Sequence, residues 1–280
     1  MLLELAIGDA YGAGFEYADI ELIQQQNDLS HYVKHPRHNI RRGAYTDDTQ
    51  MSLAIAEAMI SGEPWQPVML AQKFVEVFQR DPREGYASGF YHFLRHVRDG
   101  EQFLREIKPT SEKSGAAMRA APLGIYPTIL QVIERCTIQA ALTHNTSTGI
   151  NAAVAAALMA HYFLYHLGPK KALGTFLEKH VNGDWATPWT GKVLSQGWMS
   201  VRAAVSALMG SETMSDLLKT CIQFSGDVDT VAAIALAAGS CSTEIAQDLP
   251  VHLVYALENS KYGKDYIQRL DAQLMALFAE

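Results

Sequence analysis

The sequence predicts an all-α protein, and two features of the 280-residue chain indicate this class. Apolar residues recur at spacings of three and four, and no segment shows the strict alternation of a half-buried strand. Turn-forming residues separate these periodic segments, as at 62–67, 81–85, 183–188 and 239–242. The segments expected to be helical are 51–60, 68–78, 128–142, 151–167, 193–208, 214–222 and 231–238.

We expect these helices to pack as a single compact domain over residues 1–280, since no repeat and no low-complexity linker divides the chain. The helix-poor stretches 26–45, 108–115 and 182–191 have lengths that are often functional in compact domains. The alanine-rich run 152–167 is predicted to be a buried helix. It is shorter than a membrane span and carries His161 and His166.

The amino-acid composition argues against several classes of function and location. The chain has 23 Lys and Arg against 30 Asp and Glu, with no dense basic run, so we expect no binding to nucleic acid. Cys136, Cys221 and Cys241 lack metal-finger spacing and lie in apolar contexts, which predicts reduced core residues in a cytoplasmic protein. Residues 1–7 are too short for the core of a signal peptide. We expect no membrane association, and a monomer because no coiled-coil heptad is present.

Two acidic segments directly precede apolar helices: residues 45–50, Tyr-Thr-Asp-Asp-Thr-Gln, and residues 225–230, Ser-Gly-Asp-Val-Asp-Thr. One interpretation is helix capping, with Asp47 and Gln50 as a capping box and Asp227 as a second cap. The other is cation binding, because two carboxylates crowded at one turn repel each other unless a cation or proton lies between them. Arg41 and Arg42 are candidates to neutralise the first segment. Hard oxygen ligands suit Mg²⁺, Mn²⁺ or Ca²⁺, and two such helix starts brought together predict a two-metal site.

Three other segments carry both a structural and a functional interpretation. The glycine-rich residues 8–16 predict a closely packed helix end, from which Asp9 and Glu16 are expected to approach the acidic site. Residues 111–119 form a polar loop entering a helix, either an ordinary N-terminus or an anion site assisted by Lys113. His144 lies near a helix boundary, where a histidine is either structural or a ligand contact.

These segments, in this order, resemble the ADP-ribosylglycohydrolase family. The resemblance covers nearly the whole chain and rests on five motifs: Gly-Asp-Ala-Tyr-Gly at 8–12 with Glu16, residues 45–51, Gly-Ala-Ala-Met-Arg at 115–119, Leu-Thr-His at 142–144, and residues 226–230. The chain departs from the family where Glu112, Lys113 and Ser114 replace a glycine-rich loop ending in Asn, and where Val228 replaces Thr.

The resemblance implies a compact all-α fold with two Mg²⁺ ions, or Mn²⁺ in their place, between helix N-termini. It implies metal ligands on two sides: Thr46, Asp47 and Asp48 on one, and Asp227, Asp229 and Thr230 on the other. It places the diphosphate of an ADP-ribose group near Ser111, Ser114 and Gly115, and its distal ribose near His144. Glu84 and Tyr86 fall where relatives line the substrate cleft.

The activity implied is hydrolysis of the glycosidic bond between ADP-ribose and an acceptor, first of all an arginine side chain of an ADP-ribosylated protein. Alternatives are an O-linked serine conjugate, a free ADP-ribose derivative, or a relative that binds ADP-ribose without catalysis. Asp48 or Glu16 is the expected proton-handling group, because a guanidine leaves easily only when protonated.

Overall fold

A computed structural model describes residues 1–279, whose regular elements are helices, with no sheet among them. The α-helices are α1 Leu2–Ala13, α2 Ile20–Gln26, α3 Asp47–Ile60, α4 Pro67–Arg80, α5 Ser88–His96, α6 Gly100–Glu106, α7 Gly115–Met118, α8 Ile129–Ala141, α9 Ser147–Leu164, α10 Leu173–His180, α11 Gly197–Gly210, α12 Met214–Gln223, α13 Val228–Gly239, α14 Val251–Ala256 and α15 Lys264–Ala279. Short 3₁₀ turns lie at Ala121–Ile125 and Lys170–Ala172. The all-α prediction is confirmed.

Helices α1 and α13 cross at the centre of the molecule, and both are buried over almost their whole length. Their backbones approach closely because two residues of α1 have no side chain there. A Cβ atom on Gly12 would lie 2.4 Å from Cα of Asp229, and one on Gly8 would lie 2.6 Å from the carbonyl oxygen of Ala232. The close-packing interpretation of residues 8–16 therefore holds. This contact sets the end of α1 beside the first turn of α13.

Helix α9 is long and apolar enough to cross a membrane, but 72% of it is buried inside the protein against α8, α11 and α13. This confirms the predicted buried helix. All three cysteines are free, and Cys136 and Cys221 are buried as expected. The expectation of a core position is wrong for Cys241, which is partly exposed at the end of α13.

Helix α11 begins at Gly197 and not at 193, as the periodicity predicts. The preceding residues make isolated β-bridges to distant segments, Val193 to Gly226 and Gln196 to Lys113. These pairings engage the backbone groups that a longer helix would need. They also connect the loop before α7 with the loop before α13, which brings two of the expected site segments together.

We predict that Gly12→Ala destabilises the protein, because the new methyl group must push α1 away from Cα of Asp229. Overpacking of this kind costs about 1–3 kcal/mol. Chemical denaturation would measure the loss, with Gly210→Ala as the matched control, since a Cβ at Gly210 meets no atom within 4 Å. Equal stability of the two variants would contradict the close crossing.

Candidate active site

Four carboxylates project from the starts of two helices, α3 and α13. They belong to Asp47, Asp48, Asp227 and Asp229. The capping interpretation is wrong for both helices. Helix α3 has Thr46 at its N-cap, the Gln50 amide bonds to carbonyls of α4 and the following turn, and Asp227 makes no capping bond to α13. No N-cap side chain therefore forms a capping hydrogen bond at the start of α3 or α13.

Asp9, from α1, accepts the hydrogen bonds of the backbone N–H groups at the N-terminus of α3 instead. Its fully buried carboxylate accepts the N–H groups of Thr46 and Thr49, each at 2.9 Å, and both threonine hydroxyls at 2.7 and 2.5 Å. A carboxylate with several donors is well compensated for burial. Because Asp9 does this, Asp47 and Asp48 are left to face the interior of a cavity. The Thr46 hydroxyl gives its proton to Asp9, so only its oxygen lone pairs remain for a cation.

The start of α13 lies opposite, and Glu16 joins it from the end of α1. Asp227 accepts weak hydrogen bonds from the hydroxyls of Thr230 at 3.3 Å and Ser200 at 3.4 Å. Asp229 accepts the Thr230 N–H at 3.0 Å. Carboxylate oxygens of Glu16, Asp227 and Asp229 all lie within 4.8 Å of one another. The expectation that Asp9 and Glu16 approach the acidic site is confirmed: Asp9 lies at the start of α3, and Glu16 lies beside the start of α13.

Burial and mutual repulsion make the ionised form of this cluster costly. Burial, followed by the charges of Asp9 and Glu16, raises the pKa of Asp47 well above its usual range. The pKa values of Asp48 and Asp229 are raised well above theirs for the same kind of reason. Burial and then the charge of Glu16 raise the pKa of Asp227 to about 6. A proton or a bound cation would relieve this electrostatic cost.

The expected neutralisation by arginine is wrong. Arg41 has a side chain that is 72% exposed and bonds to Glu258 at 3.4 Å, and Arg42 is exposed. Among residues 1–279 none of the four aspartates forms an ion pair with Lys or Arg. The Oδ1 atom of Asp48 is buried and has no hydrogen-bond partner there.

These groups fit a divalent cation. The donors are carboxylates and hydroxyls, which Mg²⁺ and Mn²⁺ accept and which zinc and copper sites rarely use alone. The Asp48 oxygen without a hydrogen-bond partner is a free acceptor that a cation would satisfy. Five of the six predicted ligands line one cavity, and the sixth, Thr46, directly precedes Asp47 at the N-cap of α3. The five are Asp47, Asp48, Asp227, Asp229 and Thr230.

The cluster forms one end of a cavity of about 650 Å³. A polar wall comes from the loop before α7 and from the segment before α9: Ser111, Lys113, Ser114, Gly115 and His144. An apolar wall comes from Phe90 and Phe93 of α5 together with Tyr86, Ile107 and Met118. Glu16 and Tyr17 lie at the cluster end. The cavity has the size of ordinary small-molecule sites.

Ser111, Ser114, Gly115 and His144, predicted to contact substrate, all line this cavity. The Ser114 N–H already donates to the Ser195 carbonyl at 3.0 Å, which leaves fewer free amides at the four-residue α7 than an anion site would use. His144 contacts the Thr143 hydroxyl through Nδ1 at 2.6 Å, and its buried Nε2 makes no hydrogen bond. Burial and the charge of Arg119 lower the pKa of His144 to about 3, so this ring is neutral.

Tyr86 and Glu84 differ in position. Tyr86 lines the cavity with its ring but is only 8% exposed, and its hydroxyl donates to Oε1 of Gln50 at 2.7 Å. Its contribution is therefore a rigid apolar wall and not a polar contact. Glu84 is exposed and does not line the cavity. The neighbouring Gly85 has φ +108° and touches Asp47, where a side chain would clash.

The sequence interpretation missed several residues at the cavity. Arg119 is 1% exposed without a carboxylate partner and bonds to Gln139 and, at 2.9 Å, to the Thr143 hydroxyl. Its place in the motif at 115–119 was the available signal. His35 lies in a helix-free loop and contacts Glu16 at 2.8 Å, which no local pattern indicated. The aromatic rings of α5 look like ordinary core residues in sequence.

Comparisons with known proteins find relatives over most of this chain. The ADP-ribosylhydrolase ARH3 of Xenopus tropicalis is 26% identical over 96% of this chain and 93% of its own. The ADP-ribosylarginine hydrolase Tri1 of Pseudomonas putida is 23% identical over 84% of this chain and 67% of its own. A solved ADP-ribosylglycohydrolase-related protein complex contains a chain with the same fold, with a TM-score of 0.74 at 21% identity, covering 99% of this chain and 95% of that one. A sequence profile of ADP-ribosylglycohydrolases matches residues 1–280, and the chain belongs to the ADP-ribosylglycohydrolase family.

Proposed function

We propose that this protein is a Mg²⁺-dependent hydrolase of the glycosidic bond between ADP-ribose and an acceptor, with an arginine conjugate as the first candidate substrate. One observation carries the proposal. Four carboxylates that neither cap their helices nor pair with a base meet at one end of a cavity whose other walls are polar and aromatic. The name of the Tri1 relative supports the arginine acceptor.

Two divalent ions fit the donor set, with Thr46, Asp47 and Asp48 on one side and Asp227, Asp229 and Thr230 on the other. When bound, such ions would orient oxygen-rich groups of the substrate and lower the pKa of the water molecule used in hydrolysis. The chain itself supplies the negative charge that attracts them and the walls that exclude water.

Glu16 is the better candidate for the proton-handling group. Its side chain is 19% exposed at the cluster end of the cavity, where an acceptor can arrive and leave. Asp48 is 3% exposed and has its free oxygen in the interior, which suits a cation ligand. A carboxylate at the edge of the site can accept the proton that the attacking water loses.

The apolar wall fits a nucleobase at the end of the substrate distant from the bond that breaks. The Phe90 and Phe93 rings are stacked at 6.0 Å with an interplanar angle of 16°, and both are partly exposed. Phe93→Ala is therefore predicted to raise KM about tenfold, since stacking on an aromatic ring contributes about 1–3 kcal/mol. Steady-state kinetics would show this with kcat nearly unchanged, and Phe93→Trp should retain affinity. An unchanged KM in Phe93→Ala would exclude this platform.

An O-linked serine conjugate is the second candidate, and one feature of the site favours it. Arg37 and Lys192 lie 5.0 and 5.4 Å from the ring centre of Tyr17, which lines the cavity next to Glu16, while the two cations lie outside the cavity lining. Two cations at this position oppose a positively charged guanidinium and accept a neutral serine oxygen. Lys192→Glu is then expected to shift the preference toward arginine.

The experiment is release of ADP-ribose from an ADP-ribosylarginine conjugate and from an ADP-ribosylserine conjugate, both with Mg²⁺. Release from arginine supports the first candidate, and release from serine alone supports the second. Release from neither, with ADP-ribose still bound in calorimetry, would contradict the hydrolase proposal and favour an ADP-ribose-binding protein.

A further inference from the structure

Loop residues 33–38 contact the segment that carries Glu16 on both sides of that residue. Val33 packs against Gly14, where a Cβ would lie 2.7 Å from the Val33 carbonyl oxygen. The Arg37 guanidinium donates to the Tyr17 carbonyl at 3.2 Å. Between these two contacts, Nε2 of His35 lies 2.8 Å from Oε2 of Glu16, with the histidine side chain only 1% exposed.

The other ring nitrogen fixes the direction of this hydrogen bond. Nδ1 of His35 lies 3.0 Å from two backbone N–H groups, those of Arg37 and His38. Both are donors only, so Nδ1 must accept and carry no proton. A neutral imidazole with a bare Nδ1 has its proton on Nε2, and His35 therefore donates to Glu16.

We propose that His35 is the positioning residue for Glu16: a histidine locked by its own loop into the Nε2–H tautomer, which holds the Glu16 carboxylate beside Asp227 and Asp229. The inference rests on the proposed function for the role of Glu16 in hydrolysis. Its geometric part stands without it, since carboxylate oxygens of Glu16, Asp227 and Asp229 lie within 4.8 Å of one another.

A fixed Glu16 matters because the cluster repels it. Glu16 is the leading charge that raises the pKa of Asp227, so the two carboxylates disfavour each other. A glutamate side chain without a partner would rotate away from such neighbours and into solvent. The buried donor of His35 opposes this rotation. Partners that orient a carboxylate in this way typically contribute 10–100-fold to affinity or activity at a metal site.

Two substitutions separate positioning from folding. In His35→Asn the amide oxygen takes the place of Nδ1, so the loop bonds to Arg37 and His38 are kept while the donor to Glu16 is lost. In His35→Gln the amide nitrogen reaches the place of Nε2, so the donor is kept while the loop bonds are weakened. We expect His35→Asn to lose about 10–100-fold in kcat with little change in KM, and His35→Gln to retain most of kcat with reduced thermal stability.

The decisive test is a double-mutant cycle with Glu16→Gln, measured both as kcat and as calorimetric Mn²⁺ affinity. If His35 acts through Glu16, His35→Asn lowers both quantities in the wild-type background and neither of them further in the Glu16→Gln background. ¹⁵N NMR of the histidine rings should also show an unprotonated Nδ1 at His35.

Equal losses from His35→Asn in both backgrounds, or no loss in either quantity, would overturn the positioning role. Failure of the proposed function is distinguishable from this result. A wild-type protein that releases no ADP-ribose, but still shows the non-additive Mn²⁺ cycle, would contradict the hydrolase proposal and leave the His35–Glu16 relation in place.

Discussion

Asp229→Asn is expected to abolish most hydrolysis while leaving the helical fold intact. The substitution keeps the shape of the side chain and removes a buried charge that faces Asp48, Asp227 and Glu16. We expect the rate of ADP-ribose release to fall by about 10²–10³-fold. This is the rate loss typical of removing one group that stabilises a transition state electrostatically. Mg²⁺ affinity should fall at least about tenfold.

The same variant should melt at a higher temperature than wild type when metal is absent, because the raised pKa of Asp229 means that its ionised form is costly in the fold. Asp216→Asn is the matched control. Asp216 also lies in the first turn of a helix, α12, but it is exposed. Full activity in Asp229→Asn, or equal effects in the two variants, would contradict a cation site at this helix start.

Asp227→Asn should reveal a pH-dependent cost of the metal-free site. The pKa of Asp227 rises from 3.8 to about 6 on folding. The folded state therefore keeps this proton where the unfolded chain has lost it, and the free energy of unfolding falls as pH rises through this window. A shift of this size corresponds to about 3 kcal/mol above pH 6.

The measurement is the difference in unfolding free energy between Asp227→Asn and wild type, in chelator, from pH 3 to 7.5. We expect a difference near zero below pH 4 that grows in favour of the variant toward pH 7. Excess Mg²⁺ should reverse it, since a cation that binds only the folded wild type stabilises that protein. A difference that stays constant with pH would contradict the raised pKa.

The helices that carry the site residues were predictable because the sequence signals at their N-termini involve only neighbouring residues. Acidic residues followed by apolar periodicity mark α3 and α13, and the glycines of α1 signal a close crossing. The helices α2, α5, α6, α10, α14 and α15 were not among the predicted helices, although α15 spans Lys264–Ala279. Except for α15 they have nine residues or fewer, which is too short for a clear helical repeat of apolar residues.

Long-range partners were not predictable from local patterns. The capping of α3 by Asp9 joins residues about forty positions apart, and a self-capping Asp47 was the simpler local expectation. His35 reaches Glu16 from a loop without periodicity. The resemblance to a family grouped residues from both helix starts because it carries information about the whole fold, which spacing alone does not.

The most direct test of the central claim is the initial rate of ADP-ribose release from the preferred conjugate as a function of free Mg²⁺. We expect no release after complete chelation, a saturable rise as Mg²⁺ is restored, and no such rise in Asp229→Asn. An unchanged rate in protein shown by metal analysis to be metal-free would contradict the assignment of the four aspartates to a catalytic cation site.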